Sequence, residues 1–290
     1  MRSEIDVLSP RTLEEALALL QQHEKDIKII AGGSDLIIQL RDGAVKTEKL
    51  LNILAVKDLR FIKEKDGRIH IGALSTYTEI IRSQHVKRHA WILLEAAKQI
   101  GATQLQNSAT IGGNLGNASP AADSLPPLYA LGATIVTRNQ SDRREIPIEK
   151  FFIEYRKTAL KSDELIEEIH FAGLTRNDAG AYLKLGLRKA NAISIVDVAV
   201  ILRGKRRDSY DDVKVALGAV APTIVRAPSC EQALIGRRLT EESMREAARL
   251  ASQDASPITD IRGSAEYRRR VLGSLVYQAL HKAVHRGNGI

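Results

Sequence analysis

The sequence predicts an α+β protein with a mixed amino-terminal part and a smaller carboxy-terminal unit in which strands precede helices. The chain has 290 residues, more than one small hydrophobic core requires. The segment "FAGLTRNDAG" at 171–180 is rich in turn-forming residues and separates the two parts. We therefore predict a first domain over 1–175, with sub-domains at about 1–55 and 56–175, and a second domain over 178–286.

The first sub-domain is predicted to contain a helix, a strand and a glycine loop. Thr12 and Glu15 have the spacing of a capping box, and apolar residues follow at helical spacing. The strand "IKII" at 27–30 runs directly into "AGGSDL" at 31–36, and a short helix then ends at Gly43. A strand, a glycine loop and a helix in this order direct backbone amides toward an anion. The same pattern also forms ordinary tight turns.

The second sub-domain is predicted to begin with a β-hairpin and to continue through helices and further strands. Asp66-Gly67 is a favoured turn pair for a hairpin over 59–74. A second glycine pair, in "TIGGN" at 110–114, lies in a passage with little periodicity, which we predict to be turns over 101–119. The predicted helices here cover 86–100 and 120–131, the latter starting at Pro120, and the predicted strands lie near 133–138, 143–146 and 164–171.

The carboxy-terminal unit shows apolar strand patterns followed by helical ones. The predicted strands are 181–188, 194–203 and 212–220, and the predicted helices are 230–236, 241–253 and 264–284.

Charge and cysteine content exclude several classes of protein. The 43 basic and 35 acidic residues give a net charge of +8, but the 4% of aromatic residues do not interleave with the basic clusters, so nucleic acid is not a predicted partner. One cysteine, Cys230, excludes an internal disulfide framework, a cysteine-held zinc site and an iron–sulfur cluster ligated by this chain alone. No apolar stretch reaches the roughly 20 residues of a membrane span, and no signal peptide is evident, so we expect a cytoplasmic protein.

No familiar catalytic motif is present. The Rossmann, Walker and nucleophile-elbow patterns are missing. The histidine pairs His85/His89 and His281/His285 have helical spacing but no evident third ligand, so we predict no metal site. Binding loops without a nucleophile or general base are typical of a protein whose chemistry belongs to a bound cofactor.

Two glycine segments about eighty residues apart suggest a ligand with a pyrophosphate. Amides of residues 32–35 are predicted to hold one side of it, and amides of residues 110–114 the other. Asp123, nine residues past Asn114, could accept bonds from two ribose hydroxyls, or it could cap the helix that follows it.

Six segments in order resemble the FAD-binding medium subunit of molybdenum hydroxylases, the group of xanthine, carbon monoxide and nicotinate dehydrogenases. They are "KIIAGGSDLIIQLRDG", "SATIGGNLGNASPAADSLPPLYALGA", "FFIEYRKTALKSDELI", "YLKLGLRKANAISIV", "VALGAVAPTIVRA" and "DIRGSAEYRRRVL". The resemblance runs from about residue 5 to residue 285 and is most specific from the second glycine segment through Asp123.

The resemblance implies an FAD-binding fold of the p-cresol methylhydroxylase type with two sub-domains, followed by a smaller flavoprotein domain. It implies non-covalent FAD, held at the pyrophosphate by both glycine segments and at the adenosine ribose by Asp123. No catalytic residue is implied on this chain. The implied cofactor-binding residues are Ile29, Ile30, Ala31, Gly32, Gly33, Ser34, Asp35, Leu36, Ile100, Thr110, Ile111, Gly112, Gly113, Asn114, Asp123, Ile166 and Lys184. Ile100 and Ile166 could instead be core residues, and Lys184 an exposed lysine.

The function that the resemblance implies is electron transfer. A molybdopterin large subunit oxidises the organic substrate, an iron–sulfur small subunit with [2Fe-2S] clusters relays electrons to FAD, and NAD⁺ or another acceptor receives them. The assembly is a heterotrimer or a dimer of heterotrimers. The pair Ser34-Asp35 is closer to the purine and N-heterocycle branch than to the "AGGHS" pattern of carbon monoxide dehydrogenases, which favours a purine, N-heterocycle or aldehyde dehydrogenase.

Two other functions stay open at the level of sequence. A stand-alone flavin oxidoreductase of the same fold would need a proton donor or base beside the flavin, and none is evident. A cofactor-free binding module would ignore added FAD. The basic cluster "YRRR" at 267–270 is a hypothetical docking site for the iron–sulfur subunit, and the other basic clusters lie at 204–208 and 236–238.

Overall fold

The structure is a computed structural model that describes residues 5–206 and 209–286. Its first unit is a three-stranded parallel sheet in the order β1-β3-β2. The strands are β1 (Asp6–Leu8), β2 (Ile27–Ile30) and β3 (Lys49–Asn52), and the helices are α1 (Leu13–His23) and α2 (Leu36–Arg41). Helix α1 packs Leu13, Leu17 and Leu20 into a core with this sheet, because these residues recur at helical spacing on one face.

The predicted capping box at the start of α1 is half formed. The Thr12 hydroxyl accepts a bond from the Glu15 amide at 3.2 Å, as predicted. The Glu15 carboxylate, however, accepts from the Arg11 amide at 2.7 Å instead of from the Thr12 amide.

The second unit is a five-stranded antiparallel sheet with helices on one face. Its strand order is β4-β5-β10-β6-β7, made of β4 (Ile62–Lys65), β5 (Arg68–Gly72), β6 (Thr134–Arg138), β7 (Arg143–Pro147) and β10 (Leu165–Ala172). The predicted hairpin is confirmed: Asp66 and Gly67 both have positive φ, +52° and +71°, as a type I′ turn requires. The short strands β8 (Phe152–Glu154) and β9 (Lys157–Thr158) form a separate hairpin.

Several helices of this unit differ from the prediction. They are α3 (Tyr77–Arg82), α4 (Gln84–His89), α5 (Trp91–Ala97), α6 (Thr103–Ser108), α7 (Ile111–Asn117), α8 (Leu125–Leu131) and α9 (Ile148–Phe151). The helix predicted over 86–100 is two helices separated at Ala90, whose backbone leaves the helical region. The passage 101–119 contains α6 and α7 instead of turns alone. Helix α8 begins at Leu125, not at Pro120, because Pro126 and Pro127 occupy its first turn, where an amide proton has no intrahelical acceptor.

The third unit is a four-stranded antiparallel sheet between two layers of helices. It consists of β11 (Ala179–Gly186), β12 (Ser194–Arg206), β13 (Ser209–Gly218), β14 (Val225–Arg226), α10 (Pro228–Leu234), α11 (Glu241–Leu250) and α12 (Ala265–Arg286). Val198 and Val200 face the core shared with α10–α12, whereas Ala199 and Ile201 face the core of the second unit. Residues 195–202 of β12 are buried on both faces of the sheet, and all of them except Asp197 are apolar.

Candidate functional site

The first glycine segment presents a row of free backbone amides. None of the six amides of residues 31–36 donates a hydrogen bond within the described ranges, because β2 is an edge strand that ends at Ile30 and α2 only begins at Leu36. A Cβ atom on Gly32 would lie 1.9 Å from the Ser108 carbonyl oxygen, and Gly33 has φ +69°. Both positions therefore require glycine, and the segment is held against residue 108 with its amides unpaired.

The second glycine segment is the first turn of a helix, not a loop. Four amides that the sequence predicted as free donors already have acceptors: Ile111 donates to Ser75 O (3.1 Å), Gly112 to Ala73 O (2.9 Å), Gly113 to the Thr110 hydroxyl (3.1 Å) and Asn114 to Thr110 O (3.0 Å). The prediction that the amides of residues 110–114 surround a pyrophosphate is therefore wrong for these four. Helix α7 can instead contact a ligand through its exposed surface.

The glycines of α7 have two different roles. A Cβ on Gly112 would lie 2.6 Å from Ala73 Cβ and 2.7 Å from Ala73 O, so Gly112 lets α7 pack against that residue. Gly113 and Gly116 are exposed three residues apart, and a Cβ on Gly116 would have no neighbour within 4 Å. This side of α7 is therefore bare backbone, which a ligand can approach more closely than it could approach a helix with side chains.

The two glycine segments lie side by side. The Asn117 side chain donates to Asp35 Oδ1 at 3.1 Å and accepts from Gln39 Nε2 at 2.8 Å, which joins α7 to the start of α2. Together with the contact between Gly32 and Ser108, these bonds place the free amides beside the bare surface of α7. One ligand can therefore contact both.

Asp123 and Lys184 form a buried ion pair 61 residues apart in sequence. Lys184 Nζ donates to Asp123 Oδ2 at 2.5 Å, the Ser194 hydroxyl donates to Oδ1 at 2.5 Å, and the side chains of Lys184 and Asp123 are only 6% and 8% exposed. Burial raises the pKa of Asp123, while Lys184 and Ser194 oppose this rise. The alternatives of a helix cap for Asp123 and an exposed lysine for Lys184 are both wrong.

The ion pair is connected to α7 and to Ile100. The Ser124 hydroxyl, next to Asp123, donates to Asn114 Oδ1 at 2.6 Å, and Lys184 Nζ also donates to Gln99 O at 3.1 Å. A groove of about 380 Å³ opens beside Lys184 along residues 184–192 and Gln99. Ile100 is half-buried against the second core, whereas Ile166 is buried in that core, with no described hydrogen bond to the other candidates.

Three polar residues near Asp123 were not identified from sequence: Ser194, Tyr182 and Asp197. The Tyr182 hydroxyl donates to Asp197 Oδ2 at 3.0 Å, and both side chains are fully buried. Asp197 Oδ1 has no hydrogen-bond partner in the part of the chain that the structure describes. Burial, and secondarily the charge of Asp123, raise the pKa of Asp197 well above its usual value. The available signal was an aspartate inside an apolar strand, which is rare without a partner.

We expect Asp197→Asn to flatten the dependence of stability on pH. The folded-state pKa of Asp197 is raised, so above the unfolded pKa of about 3.9 the folded state binds more protons than the unfolded state. The wild-type free energy of unfolding should therefore fall as pH rises from 4 toward the folded pKa, and the variant should lack this decrease. Urea titrations of both proteins between about pH 5 and pH 9 measure it, and parallel profiles would contradict the assignment.

The described residues outside this site form neither a reactive cysteine nor a metal-binding cluster. Burial raises the pKa of Cys230 to about 12, so its thiol is a small core group and not a nucleophile. Over residues 5–206 and 209–286, no histidine, cysteine, aspartate or glutamate side chains gather in a metal-binding group of three or more. Every helix in these ranges is too short or too polar to cross a lipid bilayer.

Comparison with known proteins identifies the class. Residues 3–171 match the family model of the FAD binding domain in molybdopterin dehydrogenase, and residues 181–283 match the CO dehydrogenase flavoprotein C-terminal domain. The fold and site thus define an FAD-binding subunit of an oxidoreductase. The chain belongs to the FAD-binding subunits of the molybdenum hydroxylase family, as its sequence predicted.

Relatives of known function cover nearly the whole chain. The carbon monoxide dehydrogenase medium chain of Hydrogenophaga pseudoflava is 32% identical over 275 residues, 95% of each chain. The nicotinate dehydrogenase FAD-subunit of Eubacterium barkeri is 33% identical over 246 residues, 83% of each chain. A solved structure of the Hydrogenophaga carbon monoxide dehydrogenase superposes with a TM-score of 0.94 at 32% identity and covers 98% of both chains. The predicted fold class is therefore confirmed.

Proposed function

We propose that this subunit binds FAD along three neighbouring features: the backbone amides of residues 31–36, the bare side of α7 and the Asp123–Lys184 pair. Through this FAD it transfers electrons from a partner's [2Fe-2S] clusters to NAD⁺ or another acceptor. The row of six unpaired amides at 31–36 carries the proposal. Consecutive backbone amides bind a diphosphate without lysine or arginine.

The glycine region and the Asp123 region of this site suit different parts of a dinucleotide. Gly113 and Gly116 leave space against the helix backbone next to the free amides, where the pyrophosphate would lie. Asp123 would hold the ribose, as the family resemblance implies. Both of its oxygens already accept one bond, so each has one lone pair left for a ligand hydroxyl. Ile100 follows Gln99, whose carbonyl accepts a bond from Lys184, and would contact the ligand there, whereas the buried Ile166 would support the site through the core of the second unit.

The chain's own residues bind and orient the cofactor, and no general acid or base is required of them. FAD supplies the chemistry, since a flavin accepts electrons singly and releases them in pairs. The backbone amides and the Asp123–Lys184 pair would provide polar groups that are already arranged around the cofactor before transfer.

The organic substrate would bind on another subunit. We propose a heterotrimer with an iron–sulfur small subunit and a molybdopterin large subunit, or a dimer of such heterotrimers. The pair Ser34-Asp35 supports a purine, N-heterocycle or aldehyde as substrate. We also propose the domain boundaries 1–175 and 178–286, which the segment between β10 and β11 supports because it contains neither helix nor strand.

The test begins with the chain alone. It should purify yellow or take up one FAD per chain, release the FAD on denaturation, and leave organic substrates unoxidised without its partners. NADH should bleach the flavin absorption if NAD⁺ is the natural acceptor. A colourless chain that ignores added FAD would contradict the cofactor proposal, and flavin that NADH leaves oxidised would contradict NAD⁺ as the acceptor.

A further inference from the structure

Arg268 is the largest fully buried side chain in the described ranges. It belongs to the basic cluster "YRRR", which was a hypothetical docking site, but only Arg269 and Arg270 of that cluster are exposed. The Arg268 side chain is 2% exposed and points into the protein near the start of α12. Docking is therefore excluded as its role, and a fully buried cation needs another explanation.

The guanidinium binds two backbone carbonyls that lead to Asp123 from opposite sides. Its Nη1 donates to Ile195 O at 3.1 Å, and Ile195 directly follows Ser194, whose hydroxyl donates to Asp123 Oδ1. The same Nη1 donates to Ala219 O at 2.7 Å, and the Ala219 amide donates to Pro120 O at 2.8 Å, three residues before Asp123.

The connection from Arg268 through Ala219 to Pro120 includes a strained backbone conformation at Ala219. Its φ is +60°, a conformation that costs a non-glycine residue of order 1 kcal/mol, so it persists only where surrounding bonds fix it. Two hydrogen bonds fix the Ala219 backbone: its carbonyl accepts from Arg268, and its amide donates to Pro120 O.

The Arg268 guanidinium is paired with a carboxylate that lies away from Asp123. Its Nη2 donates to Asp260 Oδ1 at 2.7 Å, and Arg262 pairs with Asp260 Oδ2 at 2.6 Å. These arginines lower the pKa of Asp260 to about 2, with Arg262 the larger cause. Arg268 thus fixes the backbone positions around Asp123, whereas Lys184 supplies the positive charge that pairs with the Asp123 carboxylate.

We propose that Arg268 is a positioning residue for the cofactor site. It holds the start of β12 and the turn after β13 at the separation that orients the Asp123 carboxylate, and it thereby sets the affinity for FAD. This inference rests on the proposed function, because it assumes that Asp123 contacts the cofactor.

The test compares Arg268→Gln and Arg268→Lys with the exposed control Arg270→Gln in the full-length chain. FAD dissociation constants are measured by flavin fluorescence, and unfolding of the FAD-free chain is followed separately. We expect about tenfold weaker FAD binding for Arg268→Gln, a smaller loss for Arg268→Lys and none for Arg270→Gln. If Arg268→Gln does not fold, the result for Arg268→Lys tests the inference, because lysine keeps the charge but cannot reproduce the planar fork that joins Ile195 O, Ala219 O and Asp260.

A double-mutant cycle separates positioning from general destabilisation. In an Asp123→Asn background, replacing Arg268 should have little further effect on FAD affinity, because the oriented carboxylate is already gone. Unchanged FAD affinity in the folded Arg268 variants, or a full tenfold loss on top of Asp123→Asn, would overturn the inference. If Asp123→Asn itself binds FAD like the wild type, the proposed site fails instead, which distinguishes the two outcomes.

Discussion

Gly113→Leu should abolish FAD binding without destabilising the FAD-free chain. Gly113 is exposed in the first turn of α7, and apart from the backbone of α7 itself, the Thr110 hydroxyl at 2.9 Å is the one described atom within 4 Å of an added Cβ. Leucine favours a helix over glycine by up to about 1 kcal/mol, which offsets the cost of displacing the Thr110 hydroxyl from the added Cβ, so the apoprotein should be about as stable as the wild type. Its side chain would fill the space proposed for the pyrophosphate, and we expect FAD affinity to fall about a hundredfold or more, equivalent to ~2.7 kcal/mol.

The neighbouring glycine provides the matched control. Gly112→Ala should destabilise the FAD-free chain by about 1–3 kcal/mol, because the new Cβ would overlap Ala73 and force α7 away from it. Urea unfolding of both apoproteins and fluorescence titration with FAD measure the two quantities. Wild-type FAD affinity in Gly113→Leu would show that the cofactor does not lie against α7.

Lys184→Met should destabilise the FAD-free chain strongly at neutral pH. It removes the cation of a buried pair and leaves Asp123, 8% exposed, with the Ser194 hydroxyl as its remaining hydrogen-bond donor among the residues that the structure describes. Breaking one partner of such a pair typically costs about 3–5 kcal/mol, because the other charge stays buried without compensation. The loss should shrink as pH falls, since a protonated Asp123 no longer needs a cation and burial already raises its pKa.

Two further variants make this result specific. Asp123→Asn combined with Lys184→Met should regain most of the lost stability, because no buried charge is left. Lys189→Met, an exposed lysine five residues further on, should change the free energy of unfolding by less than about 0.5 kcal/mol. If Lys184→Met were as mild as Lys189→Met, the ion pair would not be a buried one in solution.

Local sequence signals predicted much of the fold but not α7. The Asp66-Gly67 hairpin, β2 with the glycine turn after it, and the strands and helices of the third unit follow from periodicity and turn residues. Helix α7 contains three glycines and two asparagines, which have low helix propensity. It forms because Thr110 caps it and because the Ser75 and Ala73 carbonyls accept its first amides, and these contacts exist only in the folded chain.

The sequence indicated which residue types form the candidate site, but it did not indicate which hydrogen bonds they make. Paired glycines indicated where backbone lies close to a ligand, but only the structure shows that the amides of 31–36 are free and most of those of 110–114 are not. Ser194 and Asp197 lie within a strand whose apolar pattern hides them, and their partners are distant in sequence, 71 residues away for Ser194 and Asp123.

The double-sided burial of the β11–β14 sheet has a consequence for how the protein folds. Tyr182, Ala199, Ile201 and Ala216 belong to the hydrophobic core of the preceding unit, so residues 1–175 alone would expose the apolar surface that these side chains cover. Asp123 and Lys184 meet across the same junction. The Asp123–Lys184 pair, and with it the proposed cofactor site, is therefore complete only when both halves of the chain have folded against each other.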